Sequence, residues 1–218
     1  SLMLGATLQV DDDWSHCHSA NFRSIAAAIA GSTPGDVIEV CPGRYEESLT
    51  IPHELTLRGW GPAAELRVGD PATETVLTQR SEMLDGMVVR ANRVRIEGFT
   101  FLAIRRSMSA QIRTLPSVSG TAIVGNAFVE GRNCVVLFNA DRAAPARVEG
   151  NYFNACVYAL EAVVQGALVS RNLMRYFING FVFMDSTPVT VSNNVSQFHS
   201  IGSPTLTVVN SSRFTITG

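Results

Sequence analysis

Apolar and polar positions alternate along this chain in short bursts. Val94-Arg95-Ile96, Thr121-Ala122-Ile123, Ala146-Arg147-Val148, Ala167-Leu168-Val169 and Val189-Thr190-Val191 each change side with every residue, the period of a strand with one buried face. A second set of strands follows: CVVLFN from Cys134, CVYALE from Cys156, GFVFMD from Gly180 and TLTVVN from Thr205, starting 22, 24 and 25 residues apart. A helical repeat of this length would show a 3.6-residue period and strong helix formers; here period two, β-branched residues, Gly and Asn dominate.

Between the two strands recurs an asparagine. Asn126, Asn151, Asn172 and Asn194 are separated by 25, 21 and 22 residues, and Phe99 holds the same slot one period earlier. Such a rhythm predicts a solenoid of stacked β-coils, ~4.8 Å apart, with apolar side chains inside. Asn tolerates left-handed dihedrals, so it suits the bend after each strand, and its amide can bond the Asn of the next coil. Upstream, residues 21–31 read as an amphipathic helix with Phe22, Ile25, Ala26 and Ile29 on one face, Asn21 or Ser19 as N-cap and Gly31 as stop. It would plug the open end of the first coil.

The order F-x-x-I-x-x-A-I, P-G-D-x-I-x-V-x-P-G-x-Y-x-E-x-L-T-I and L-T-L-x-G-x-G, from Phe22 to Gly61, resembles the opening of pectin-lyase-like right-handed parallel β-helix proteins. The resemblance implies an all-β, single-stranded right-handed parallel β-helix of ~21–27-residue coils with an N-terminal helical cap. One domain is expected over 1–218, with an extension at 1–20, coils over 35–218 and insertions near 61–86 and 102–118. That superfamily includes pectinesterases, but their catalytic motifs are missing: GFVFMD has Gly180 where the aspartate should stand. Polygalacturonase-like signatures are missing too.

Composition adds little to the fold and narrows the partners. A net charge of −2 provides no field that would recruit nucleic acid, and no apolar run is long enough for membrane insertion. All 17 basic residues are arginine, and Arg90, Arg93, Arg95, Arg105, Arg106 and Arg113 fall in a stretch whose only acid is Glu97. Such a cluster could bind the carboxylates or sulfates of an acidic polysaccharide, or be a solvated charge run. No signal peptide is visible, and the sequence stops in mid-motif, which suggests a piece of a longer chain. A surface, extracellular or virion-associated setting is the expectation.

If second strands stack by their starts, Asn139, Glu161, Asp185 and Asn210 form one polar column, with Asp141 beside it. The carboxylates Glu161 and Asp185 could then bind Ca²⁺ or act as an acid/base pair with Arg175 as helper; the plainer reading is a solvated turn, with no cofactor or metal. The same alignment points Val135, Leu137, Val157, Ala159, Phe181, Phe183, Leu206 and Val208 inward. Val136, Phe138, Tyr158, Leu160, Val182, Met184, Thr207 and Val209 would then make an apolar outer face, covered by the insertions or by a second copy in a homo-oligomer.

Cys17 and Cys41 flank the capping helix and are expected to form a disulfide; the rival is a metal site of His16, Cys17, His18 and Cys41, whose consecutive ligands alternate direction. Cys134 and Cys156, placed in one slot, are expected to be stacked free thiols, because in-register neighbours stand too far apart for a bond. Asp11-Asp12-Asp13 reads as solvated chain. Two functions remain: a non-enzymatic structural or surface module that binds carbohydrate, or a lyase or glycoside hydrolase acting on an acidic polysaccharide.

Overall fold

The computed structural model describes residues 5–62, 68–103, 109–198 and 202–218. Among them lie 21 strands and one helix, and none of the described helical residues forms a span long and apolar enough to cross a membrane. The strands wind into three-sided coils. The first face is a nine-stranded parallel sheet running from Thr7–Val10 and Val37–Val40 to Phe214–Thr217. The second and third faces join where Ala127–Asn139 and Tyr152–Val164 each bend from one to the other. The second holds Gly43–Glu46, Thr75–Thr78, Phe99–Leu102, Leu173–Arg175 and Val195–Gln197; the third holds Leu49–Ile51, Met87–Val89, Ala110–Thr114, Asn179–Met184 and Leu206–Val209.

Parallel register carries like side chains to like depth. Inside the first face Ile38, Leu57, Ile96, Ile123, Val148, Val169 and Val191 follow one another in register. Inside the second, the rings of Phe101, Phe128 and Phe153 stack at 5.0 Å spacings, 8° and 10° from parallel. Each such buried side chain contributes ~1.5–3 kcal/mol.

The corner between first and second faces is where the asparagines sit. Gly125, Gly150, Arg171 and Asn193 each turn with positive φ, and the next residue is the ladder Asn. Asn151 Nδ2 donates to Ile123 O and to Asn172 Oδ1, while its own Oδ1 accepts Asn126 N and Nδ2. The pattern repeats with Asn172 and Asn194, and starts where Asn126 Oδ1 accepts Phe99 N. Each amide therefore satisfies backbone groups that the corner would otherwise bury unpaired.

The cap differs from its expected form. Helix α1 is Ile25–Gly31, its N-cap is Ser24, and its buried residues are Ile25, Ala28 and Ile29. Asn21 instead accepts Gln9 N, Ala26 is exposed and Phe22 lies before the helix. Glu47, from the first coil, also caps the helix by accepting Ile25 N and Ala26 N at 2.8 and 2.9 Å. A long-range carboxylate is invisible to a search for local caps.

The extension at 1–20 is not outside the sheet: Thr7–Val10 pairs with Val37–Val40. Asp11 is fully buried and accepts the amides of Trp14 and His16, organising the loop that the Cys17–Cys41 disulfide ties to the first coil. The bond also removes the thiolates on which a metal site there depended. Likewise the segments 61–86 and 102–118 contain Thr75–Thr78 and Ala110–Thr114, members of the second and third faces. They read as insertions because Thr75 pairs with Gly43, 32 residues back, well beyond the repeat period.

The largest correction is a slip of three residues. Cys156 pairs with Gly131 and Val135 with Leu160, so Cys134 and Cys156 do not share a slot. They lie diagonally across a bent corner, Cα atoms 6.1 Å apart, and form a disulfide. Leu160 and Ala162 consequently point inward beside Val135 and Leu137, whereas Val157 and Tyr158 are half-buried.

Two outcomes follow. Asn151→Ala leaves two or three buried groups unpaired and should cost about 3 kcal/mol, against roughly 1 kcal/mol for Asn194→Ala in the less buried part of the ladder; urea midpoints at constant m-value measure both, and equal shifts would refute the ladder's role. On the first face, Arg58 Nε donates to Glu97 at 2.7 Å and Arg95 bonds the other oxygen. Burial alone would raise the Glu97 carboxyl, but these bonds and charges outweigh it and hold it below the usual range. A lowered folded value stabilises the protein above the unfolded pKa, ~4.3, and the contribution is lost as pH falls through the folded value. Glu97→Gln should lower stability at pH 7 by less than about 1 kcal/mol, with the gap from wild type shrinking below pH ~4 in a pH series of thermal midpoints.

Candidate functional site

The site grows from two columns set by the asparagine ladder. Three residues after each ladder Asn, Val129, Asn154, Arg175 and Gln197 pair in register on the outside of the second face. One residue further, Glu130, Ala155, Tyr176 and Phe198 make the corner toward the third face, with φ of 51°, 58°, 52° and 55°. In these four coils the corner takes a left-handed residue, and Ala155 shows that alanine meets the demand. Tyr176 and Phe198 meet it with rings that remain 60% and 64% exposed.

Those rings stack on each other, centroids 5.3 Å apart and 14° from parallel. Beside them Arg175 Nε donates to Gln197 Oε1 at 2.8 Å, and the guanidinium lies 5.9 Å over the Tyr152 ring. With Val68, Val129 and Asn154 these groups line an open cleft of about 550 Å³. An aromatic shelf, one cation and two amides offer stacking, a charged donor and neutral hydrogen bonds. Among the described lining residues there is no carboxylate or histidine, and the hydroxyls are the phenols of Tyr152 and Tyr176.

The sequence candidates do not converge. Asn139 pairs with Val164, while Glu161 pairs with Val136 and Val182 on the third face; the three-residue slip removes it from the supposed column. Asn139 is buried, accepting Gly120 N and donating to the carbonyls of Asp141 and Gln165. Asp141 caps its own turn through Ala143 N, and Asp185 is a left-handed turn residue at the strand end. Glu161 and Asp185 thus present no shared Ca²⁺ or acid/base site, and Arg175 is on a different face from both.

The arginines scatter as well. Arg95 pairs with Glu97 on the first face, Arg93 with Glu54, and Arg113 with Asp85 at 2.7 Å on the third. Arg90 is exposed, and Arg105 and Arg106 lie outside the described residues. On the third face Glu161 stands in one outward row with Arg113, Val136, Val182 and Thr207. Burial pushes its carboxyl up, more than the charges of Arg113 and Arg132 pull it down.

Reading for charge clusters overlooks Tyr152, Asn154, Tyr176, Gln197 and Phe198. The signal was the constant offset: RNLMRYF and NNVSQF place Arg175-Tyr176 and Gln197-Phe198 at the same third and fourth positions after the ladder Asn.

Solved structures share this architecture. A pectin methylesterase in complex with a hexasaccharide matches over 86% of this chain and 79% of its own, at 12% identity and a TM-score of 0.50. A mutant pectin methylesterase with another hexasaccharide matches over 90% and 67%, at 14% identity and a TM-score of 0.49. No protein-family model and no curated protein matches the chain. The likeness is one of fold alone, a right-handed parallel β-helix.

Because Ala155 holds the same corner, Tyr176→Ala and Phe198→Ala should each change stability by less than about 1 kcal/mol, the scale of one exposed ring stack. Denaturant midpoints check this; a loss of several kcal/mol would make the rings structural.

Proposed function

We propose that the second face is a carbohydrate-binding surface of a non-enzymatic module, and that its ligand is a segment of an acidic polysaccharide. The reading rests on one observation: the coil requires a dihedral at Tyr176 and Phe198, not a ring, yet both positions present stacked, exposed rings beside a guanidinium. Pyranose rings have an apolar face that lies flat on aromatic side chains, while their hydroxyls need donors and acceptors at the edge. Gln197 and Asn154 supply amides, and Arg175 supplies the positive charge that a uronate or sulfate group would meet.

Binding fits better than catalysis because the described cleft lining offers, beyond the phenols of Tyr152 and Tyr176, no carboxylate or histidine to serve as acid or base. The fold's structural neighbours include a protein crystallised with a hexasaccharide, which is consistent with this surface chemistry. Two disulfides, Cys17–Cys41 and Cys134–Cys156, support a setting in an oxidising, extracellular or surface compartment.

Titration calorimetry against uronate-containing oligosaccharides and neutral oligosaccharides of equal length tests the reading. Binding of the acidic ligands is expected, with Tyr176→Ala and Phe198→Ala each weakening it about tenfold, ~1.4 kcal/mol, and Arg175→Gln erasing the preference for acid over neutral. Absence of binding, or equal binding by Tyr176→Ala, would refute the site. Release of reducing or unsaturated sugar ends would refute the non-enzymatic part.

A further inference from the structure

We infer that the corner position of Ala155 is a slot for one pyranose ring of the ligand, held between the free face of Tyr176 and the carboxylate of Glu130. The slot rests on the carbohydrate reading of the second face and fixes where on that face the sugar sits. Glu130, Ala155, Tyr176 and Phe198 each follow a member of one in-register column, Val129, Asn154, Arg175 and Gln197, and all four turn left-handed. They therefore succeed one another at the coil spacing of ~4.8 Å. Two neighbours carry rings, the next carries a methyl group, and the one beyond carries an acid.

Ring geometry decides which surface is free. With centroids 5.3 Å apart and planes 14° from parallel, Tyr176 and Phe198 overlap face to face with an offset, since rings lying side by side in one plane would clash at that distance. Each ring thus covers one face of the other. The remaining face of Tyr176 is turned to the coil of Ala155, which is exposed and too short to reach it. One place in the stack is vacant. From Tyr176 to Glu130 is two coil spacings, ~9.6 Å. A flat ring in contact with Tyr176 at ~3.5–4.0 Å leaves about 6 Å to the Glu130 coil, room for a hydrogen bond from a ring hydroxyl to the carboxylate.

The two walls select the ligand. Glu130 is exposed and takes part in none of the ion pairs among the described residues, so its two oxygens can accept from a pair of adjacent hydroxyls. The Tyr176 coil brings the Arg175 guanidinium, oriented by Gln197. An aromatic acid would leave Glu130 without a donor, and an aromatic cation would set its charge against Arg175. A uronate pyranose satisfies both walls. Its apolar face lies on Tyr176, its carboxylate points to Arg175 and its vicinal hydroxyls point to Glu130.

Titration calorimetry with hexamers of galacturonate, mannuronate and glucuronate tests the slot. Ala155→Tyr extends the stack by one ring, and Tyr176 shows that the corner accepts this residue. For the hexamer that wild type binds most tightly, Ala155→Tyr should weaken binding about tenfold or more while the denaturant midpoint is retained. Ala155→Gly, which keeps the slot open, should bind within about twofold of wild type, and Glu130→Ala should bind about fivefold more weakly. A sugar lying across the ring edges would instead meet a longer shelf in Ala155→Tyr. Equal or tighter binding by that variant therefore overturns the slot, and the surface reading still stands if Tyr176→Ala loses affinity. Equal binding by both Ala155→Tyr and Tyr176→Ala overturns slot and surface together, as does the absence of binding by all three hexamers. If Ala155→Tyr does not fold, Glu130→Ala decides: unchanged affinity in that folded variant overturns the slot.

Discussion

Everything in this molecule depends on the asparagine ladder. A three-sided coil must turn sharply at each corner, and a sharp turn inside a stack buries backbone groups that no sheet can pair. Asn126, Asn151, Asn172 and Asn194 meet this constraint by each donating to a carbonyl and accepting a backbone amide of the preceding coil. The bonds are direct, buried and nearly identical, so they set the register as well as close the turn. Register in turn determines which side chains form columns, because a parallel stack moves each residue of a coil by one spacing and no more.

The ladder was legible because Asn is distinctive and its spacing nearly constant. The inner rows of the first face followed from it, since those strands lead into the ladder with no variation in length. Farther from the ladder the sequence misleads. Cys134 stands eight residues after Asn126, but Cys156 only five after Asn151; matching them as equivalents displaces the CVYALE strand by three against both of its neighbours. That single shift put Glu161 beside Asp185, turned Leu160 outward and left two bonded cysteines apparently free. Counted from the asparagines, Val136, Glu161 and Val182 all fall at the tenth position, which is their observed row. The chemistry of a residue type attracts attention, but its offset from the register-setting group decides where it lies.

The N-terminal end was misread for a different reason. Glu47 caps helix α1 from 21 residues away in sequence, measured to Ala26, and Asp11 is buried under a loop whose amides it accepts and which the Cys17–Cys41 bond ties to the first coil. Local propensity ranks Asn21 and Ser19 as caps and three consecutive aspartates as solvated chain. Tertiary hydrogen bonds to a carboxylate are worth more than these preferences, at ~1.5–3 kcal/mol for a bond to a charged group.

With register settled, the three faces divide the work. The first neutralises its surface with paired charges, and such exposed pairs add little stability while keeping a parallel sheet in water. The second keeps an aromatic and amide cleft open, and the third keeps a largely apolar surface in which Glu161 is half-buried. What separates function from architecture here is the corner of Glu130, Ala155, Tyr176 and Phe198. A left-handed backbone costs a residue with a side chain roughly 1–2 kcal/mol, and these four coils carry that cost whatever the side chain. Glycine or asparagine would reduce it, as glycine does at Gly125 and Gly150 on the ladder corner. Bulky rings do the opposite and are then left in solvent, so neither folding nor burial accounts for them, and the proposed binding surface rests on that mismatch.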